Sequence, residues 1–179
     1  AQGGWGVHSE NSLVKTLTGL IYWEAIFSPQ PGAFTNPFQI APHDLHEPDF
    51  FSLRAEQITD IESRICLDAD LASHLKNINE AKQGIANPLV NWGLLERIDL
   101  DQWLQALPGD WIRVLSHFLV RNLKDYRKGF PDLFVSHPDG VSEFIEVKGP
   151  GDQLQPQQRA WFETFERFNI RARVIKLRL

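Results

Sequence analysis

Two carboxylates and a lysine stand close together near the C-terminal end of the 179-residue chain. Asp132 follows a proline in Gly129-Phe130-Pro131-Asp132-Leu133, and Glu146-Val147-Lys148-Gly149-Pro150 begins fourteen residues after it. A β-hairpin sets the start of its first strand beside the end of its second, so Asp132 and Glu146 can approach each other despite their separation. Oxygen ligands of this kind suit a hard cation such as Mg²⁺, which also relieves the repulsion between two like charges. Lys148 lies two residues beyond Glu146 and so shares its strand face. From there its ammonium could orient an attacking water or stabilise charge developing on a phosphate. Val147 is expected to face the core, with its backbone carbonyl available to a metal. The chemistry these groups could do is metal-assisted attack of water at a phosphate, with Asp132, Glu146 and Lys148 the candidate catalytic residues.

The elements that must hold these groups are readable around them. Leu133 to Val135, a turn over Ser136 to Gly140, and Glu143 to Val147 make the hairpin. Pro156 opens a helix whose Trp161, Phe162, Phe165 and Phe168 are expected to pack inward; Asn169 stops it, and residues 172–177 alternate as a final strand. Upstream of the hairpin, Trp111, Val114, Leu115, Phe118, Leu119, Leu123 and Tyr126 keep a helical stripe until Gly129. A Gly-rich lead-in precedes a buried helix over 12–27, with Glu10 near its start, where the helix dipole favours a carboxylate. Five prolines between 29 and 48 indicate an extended loop. A second helix begins at Pro48-Asp49, and 69–82, 89–96 and 99–106 read as further short helices. The order predicts an α/β (α+β) fold, a small mixed sheet flanked by helices, in one domain over 1–179. Within it, 1–28 carries the first core helix, 29–109 a loop and helical insertion, and 110–179 the catalytic core.

Composition narrows the remaining classes. At 42% hydrophobic and 23% charged the chain can build its own core. The longest apolar stretch, Leu20 to Trp23, is far too short to span a bilayer. The single cysteine, Cys66, cannot form an intramolecular disulfide. No His-Glu-x-x-His spacing occurs among the six histidines, and no Gly-rich phosphate loop is followed by Lys-Ser or Lys-Thr. The net charge of −5 divides into −9 over residues 1–110 and +4 over 111–179, so an anionic partner such as DNA would be drawn to the C-terminal part. Arg127, Lys128 and Arg159 there, together with His8 beside Glu10, are candidate DNA contacts. With no methionine and no signal-peptide pattern at Ala1-Gln2-Gly3-Gly4, the chain is expected to begin inside a longer, intracellular protein.

The quoted motifs resemble the PD-(D/E)xK nuclease superfamily, and Glu146 to Leu154 followed by Gln158-Arg159-Ala160-Trp161 is similar to its virus-type replication and repair nuclease (VRR-NUC) module. Val7 to Ser12, Leu20 to Phe27 and Phe34…Asn36…Phe38-Gln39…Pro42 to Leu45 are similar to the Fanconi-associated nucleases. That resemblance implies a restriction-endonuclease-like core with a helical insertion. It implies a Mg²⁺- or Mn²⁺-dependent, structure-selective DNA nuclease, with 5′-flap endonuclease and 5′-to-3′ exonuclease activity, in interstrand crosslink repair. The implied metal set is Glu10, Asp132, Glu146 and the Val147 carbonyl, with Gln158 supporting. Further implications are DNA-binding domains upstream in the same protein, a monomeric fragment because the insertion hinders dimerisation, and a location in the bacterial cytoplasm or nucleoid or the eukaryotic nucleus. Ser9, Asn11 and His43 depart from residues common among relatives, outside the metal set. Two alternatives are a catalytically silent module that binds DNA structures, against which the intact acidic and lysine positions argue, and a standalone dimeric Holliday-junction resolvase, which fits the long helical block poorly.

Overall fold

The computed structural model describes residues 3–177, so the first two residues of the lead-in lie outside it. Four strands form one mixed sheet: β1 (Trp5–His8), β2 (Leu133–Ser136), β3 (Ser142–Lys148) and β4 (Ala172–Lys176), in the order β1-β2-β3-β4. The first three are antiparallel neighbours, and β4 lies parallel to β3. A parallel pair needs a crossover, supplied by the helix α10 (Pro156–Arg167), the last of ten helices among the described residues. Pro156 stands in its first turn, and beyond its end Asn169 takes a left-handed φ of 52°, as an asparagine readily does.

The other helices follow β1 in sequence. The first, α1 (Glu10–Ile21), runs directly into a single-turn α2 (Trp23–Ile26), with Tyr22 between them. Residues 29–48 contain turns but no regular element, as their prolines predict. The second predicted helix is divided at Arg54 into α3 (Phe50–Leu53) and α4 (Ala55–Arg64). Then come α5 (Asp68–Lys82), α6 (Trp92–Arg97), α7 (Leu100–Ala106), α8 (Gly109–Arg121) and a single turn, α9 (Leu123–Tyr126). Among the described residues no helix is long and apolar enough to cross a membrane.

Sheet and helices meet on one face. Cross-strand partners share a face, so the register aligns Val7, Phe134, Phe144 and Ala172. Phe134 and Phe144 are fully buried, and Phe144 packs on Trp111 of α8, Phe130, and Phe165 of α10. Leu13, Val14 and Leu17 of α1 are buried in the same cluster.

Three expectations need correction. The lead-in contains a strand, β1, beside the hairpin. Phe168 does not pack inward: it falls one residue past the end of α10 and is 46% exposed. Val147 is not the inward residue of its strand. Phe144, Glu146 and Lys148 alternate onto the core face, all buried, while Val147 is half-buried on the other.

Candidate active site

The site forms where the core face of the sheet turns polar. Leu133 pairs with Ile145, so the next position outward sets Asp132 against Glu146 on the face that carries Phe134 and Phe144. Oδ2 of Asp132 accepts the Val147 N–H at 2.9 Å, fastening the start of β2 to the end of β3. The Asp132 carbonyl accepts the N–H groups of Ser9 and Glu10, at 3.0 and 3.1 Å. Two donors at the N-terminus of α1, which no intrahelical bond can satisfy, are thereby used to dock Glu10 onto the hairpin.

The backbone at Glu10 is strained, with φ of 42°, a region that residues other than glycine seldom occupy and that is concentrated at functional sites. Asn11 braces it. Its Oδ1 accepts the Phe130 N–H at 3.1 Å, and its Nδ2 donates to Glu10 Oε1 at 3.3 Å. Gly129 completes the packing at a φ of +88°. A Cβ there would stand 2.8 Å from the Gln157 Cβ and 3.0 Å from the backbone of Gln157 and Gln158, so only glycine lets the strand entry press against α10.

Glu146 and Lys148 are buried, at 2% and 9% exposure, and their side chains pair at 2.9 Å. Gln158 sits between them: its Oε1 accepts from Lys148 Nζ at 2.8 Å, and its Nε2 donates to Glu146 Oε1 at 2.5 Å. The same Oε1 accepts the Gln155 N–H at 2.9 Å, half of a reciprocal cap that starts α10. The other Glu146 oxygen, Oε2, is buried and has no hydrogen-bond partner among the described residues. A carboxylate oxygen in that condition is costly, and a hard cation is one group that would satisfy it. Asp132, Glu146 and backbone carbonyls form an all-oxygen donor set, so the residues fit such an ion. Among the described residues no three His, Cys, Asp or Glu side chains are gathered into a ready-made metal cluster; one Glu146 oxygen is drawn toward Lys148 and Gln158.

The candidate DNA contacts divide. His8 pairs with Leu133, so its side chain leaves the sheet on the face opposite Glu146, and it is exposed. Arg127 and Lys128 line a cleft with Gly129, Gln157 and Gln158, next to the carboxylates. Arg159 is exposed, its Nε donating to the Leu154 carbonyl. The sequence set Asn11 outside the metal set, whereas its amide meets Glu10, and sequence reasoning missed Lys15 altogether. Burial and the nearby Arg127 lower the Lys15 pKa, while Glu10 acts in the opposite sense. His46 is lowered in turn by burial, Arg127 and Lys15. Positive charge thus collects beside α1. The four-residue spacing of Asn11 and Lys15, which puts both on one helix face, was the available signal.

Comparisons with known proteins give the family and the fold. A family model described as the VRR-NUC domain matches residues 68–178. The chain is 38% identical over 162 residues to the Fanconi-associated nuclease 1 homolog of Pseudomonas aeruginosa, covering 89% of this chain and 29% of that protein. It is 34% identical over 166 residues to Fanconi-associated nuclease 1 of Danio rerio, covering 88% and 16%. The fold superposes with a TM-score of 0.89 and 35% identity on the crystal structure of paFAN1 bound to 2-nt 5′-flap DNA with a gap, covering 98% of this chain and 32% of that one. The chain therefore spans less than a third of each of these relatives.

Proposed function

The chain belongs to the VRR-NUC domain family, and on that basis we propose that it hydrolyses DNA phosphodiester bonds at the cluster of Asp132, Glu146 and Lys148. The observation that carries the reading is Glu146 itself, a buried carboxylate with one oxygen held by Lys148 and Gln158 and the other without a hydrogen-bond partner among the described residues. The preference is for branched DNA, as a 5′-flap endonuclease with 5′-to-3′ exonuclease activity in interstrand crosslink repair. The relatives' name and the flap DNA bound by paFAN1 support that preference. DNA-gripping surfaces lie in further domains of a longer protein, and the module itself acts as a monomer.

Glu10, Asp132, Glu146 and the Val147 carbonyl would hold Mg²⁺ or Mn²⁺, which supplies Lewis-acid stabilisation of charge developing on the phosphate. The chain's own groups do the rest. Lys148 directs its ammonium along the core face, where it orients the attacking water and stabilises a non-bridging phosphate oxygen. Gln158 keeps Lys148 and Glu146 in one geometry, and the aromatic core behind them excludes water from that side. Arg127, Lys128 and Lys15 draw the phosphate backbone toward the carboxylates.

The test is to incubate the protein with an end-labelled 5′-flap in Mg²⁺, in Mn²⁺ and in EDTA, alongside Glu146→Gln. Cutting that requires the metal and is lost in the variant is expected. Binding of the flap with no cutting under either metal would overturn the nuclease reading in favour of a silent binding module.

A further inference from the structure

We propose that a second cavity, at the other end of the helical layer from Glu146, binds a nucleotide, with its phosphate on Arg121 and Arg167 and its base against Phe118 and Phe168. The cavity has a volume of about 570 Å³, within the range of small-molecule sites. It opens between α8, the end of α10, Tyr22 and Glu62. From Gln158 to Arg167 along α10 is about 14 Å at 1.5 Å per residue, and from Glu10 to Tyr22 about 18 Å. The two sites are therefore separate.

The charges that line the cavity are unequally matched. Arg113 is engaged by Asp68 and Asp110, at 2.8 and 2.5 Å. Glu62, the one carboxylate in the lining, accepts the Tyr22 hydroxyl at 2.7 Å and pairs with the His117 ring at 2.6 Å. Arg121 stacks over the Phe51 ring at 4.6 Å, and among the described residues its guanidinium hydrogen-bonds only His117 Nε2, at 3.5 Å. Arg167 lies over Phe168 at 5.4 Å. Among the described residues neither of these two guanidiniums meets a carboxylate within 4.0 Å. Aromatic rings position them, and Glu62, already engaged by Tyr22 and His117, acts on Arg121 only at longer range.

The remaining lining is apolar and includes Ile65, Val114, Phe118 and the exposed Phe168. A bare anion would leave those walls wet, and a purely apolar ligand would leave two guanidiniums unpaired. A nucleotide satisfies both, because arginine recognises phosphate in a planar, two-pronged manner and bases stack on aromatic and guanidinium faces. That chemistry is shared by a free nucleoside monophosphate and by one unit of a bound strand.

The two sources separate in experiments run in EDTA, where no cutting intervenes, so the outcome is independent of the nuclease assay. ¹⁵N-labelled protein is titrated with 2′-deoxyadenosine 5′-monophosphate, deoxyadenosine and inorganic phosphate. The monophosphate should shift the amides of Val114, Phe118 and Phe168 and leave those of Glu146 to Lys148 in place. Deoxyadenosine and phosphate should each bind at least tenfold more weakly. Arg121→Gln and Arg167→Gln should each weaken monophosphate binding at least tenfold; Arg167 is exposed at a helix end, so its removal leaves the fold intact. If the double variant also weakens binding of a labelled 5′-flap, the ligand is a strand. If only monophosphate binding falls, it is a free nucleotide. Shifts confined to the surroundings of Glu146, phosphate binding as tightly as the nucleotide, or affinities unchanged in both variants would overturn the proposal.

Discussion

Gln158→Ala removes a side chain that hydrogen-bonds both Lys148 and Glu146. Two of its hydrogen bonds go to charged groups, each contributing about 1.5–3 kcal/mol. The third closes the cap of α10, an interaction of about 1 kcal/mol. Water can enter the space and recover part of this, so the net loss should be about 2–4 kcal/mol. At roughly 2–4 °C per kcal/mol for a domain of this size, Tm should fall by about 5–15 °C. Below that temperature the fold persists, but Lys148 and Glu146 are no longer held to one geometry, and kcat should fall about 10²-fold with KM little changed. Gln158→Glu separates positioning from packing. It keeps both acceptor bonds but places a carboxylate against Glu146, which raises the pKa of the pair. Destabilisation should be greatest at neutral pH and relieved as pH falls through the raised value, when a shared proton restores the lost donor. Calorimetry from pH 5 to 8, with flap cutting measured on the same preparations, reads both effects. Wild-type kcat in Gln158→Ala would refute the positioning argument, even if Tm fell as described.

Asp132→Ala should cut kcat by at least roughly 10²- to 10³-fold in the flap assay. Relief of carboxylate repulsion alone would make the variant slightly more stable without metal, but the Val147 N–H loses its partner, so denaturant titration should show a cost of about 1–3 kcal/mol. Gly129→Ala forces a side chain into a left-handed backbone against Gln157 and should lower stability by about 2–4 kcal/mol; its flap cutting should fall more than its folded fraction, because Asp132 moves with that segment. Burial opposes the charge on Glu62, but hydrogen bonds from His117 and Tyr22 outweigh it and hold its pKa below the usual 4.5. The stability it contributes is therefore complete above about pH 4.5 and lost as pH falls through the depressed value. Glu62→Gln should flatten acid unfolding below pH 4.5, and an unchanged acid limb would exclude that network as its source.

How much of this was legible in the sequence depended on the range of the interactions that decide each element. The hairpin and α10 are set by neighbours: strand-forming runs on either side of a Pro138-Asp139-Gly140 turn, a proline to start the helix and an asparagine to end it. Strand β1 offers only Trp5 and Val7 as apolar residues, either side of Gly6, and its pairing is with residues about 130 positions away. No local pattern announces such a strand. The division of the second helix at Arg54 is likewise tertiary. That fully buried guanidinium binds Asp44 at 2.6 and 3.0 Å, the Ala25 carbonyl, and the face of Phe50, tying the proline-rich loop to α2 and α3. Phe168 continues the apolar spacing of α10, but at the residue where the helix has ended the spacing no longer fixes a direction.

The carboxylates were legible as chemistry, whereas their orientation was not, and the reason lies in β3. Reading apolar residues as inward and charged ones as outward assigns Val147 to the core and Glu146 to solvent. The register puts Phe144, Glu146 and Lys148 on one face, so the strand carries its inward side from an aromatic core into a pair of opposite charges without changing face. Desolvating Glu146 and Lys148 is costly, and the chain offsets it only in part, through their mutual pairing and Gln158. The unpartnered Glu146 Oε2 and the strained backbone at Glu10 are what remains uncompensated, and both lie beside Asp132. Local rules fail here because the fold holds a polar group where burial alone would not put one. That failure, more than the presence of acidic residues, is what distinguishes this end of the sheet from a solvated strand edge.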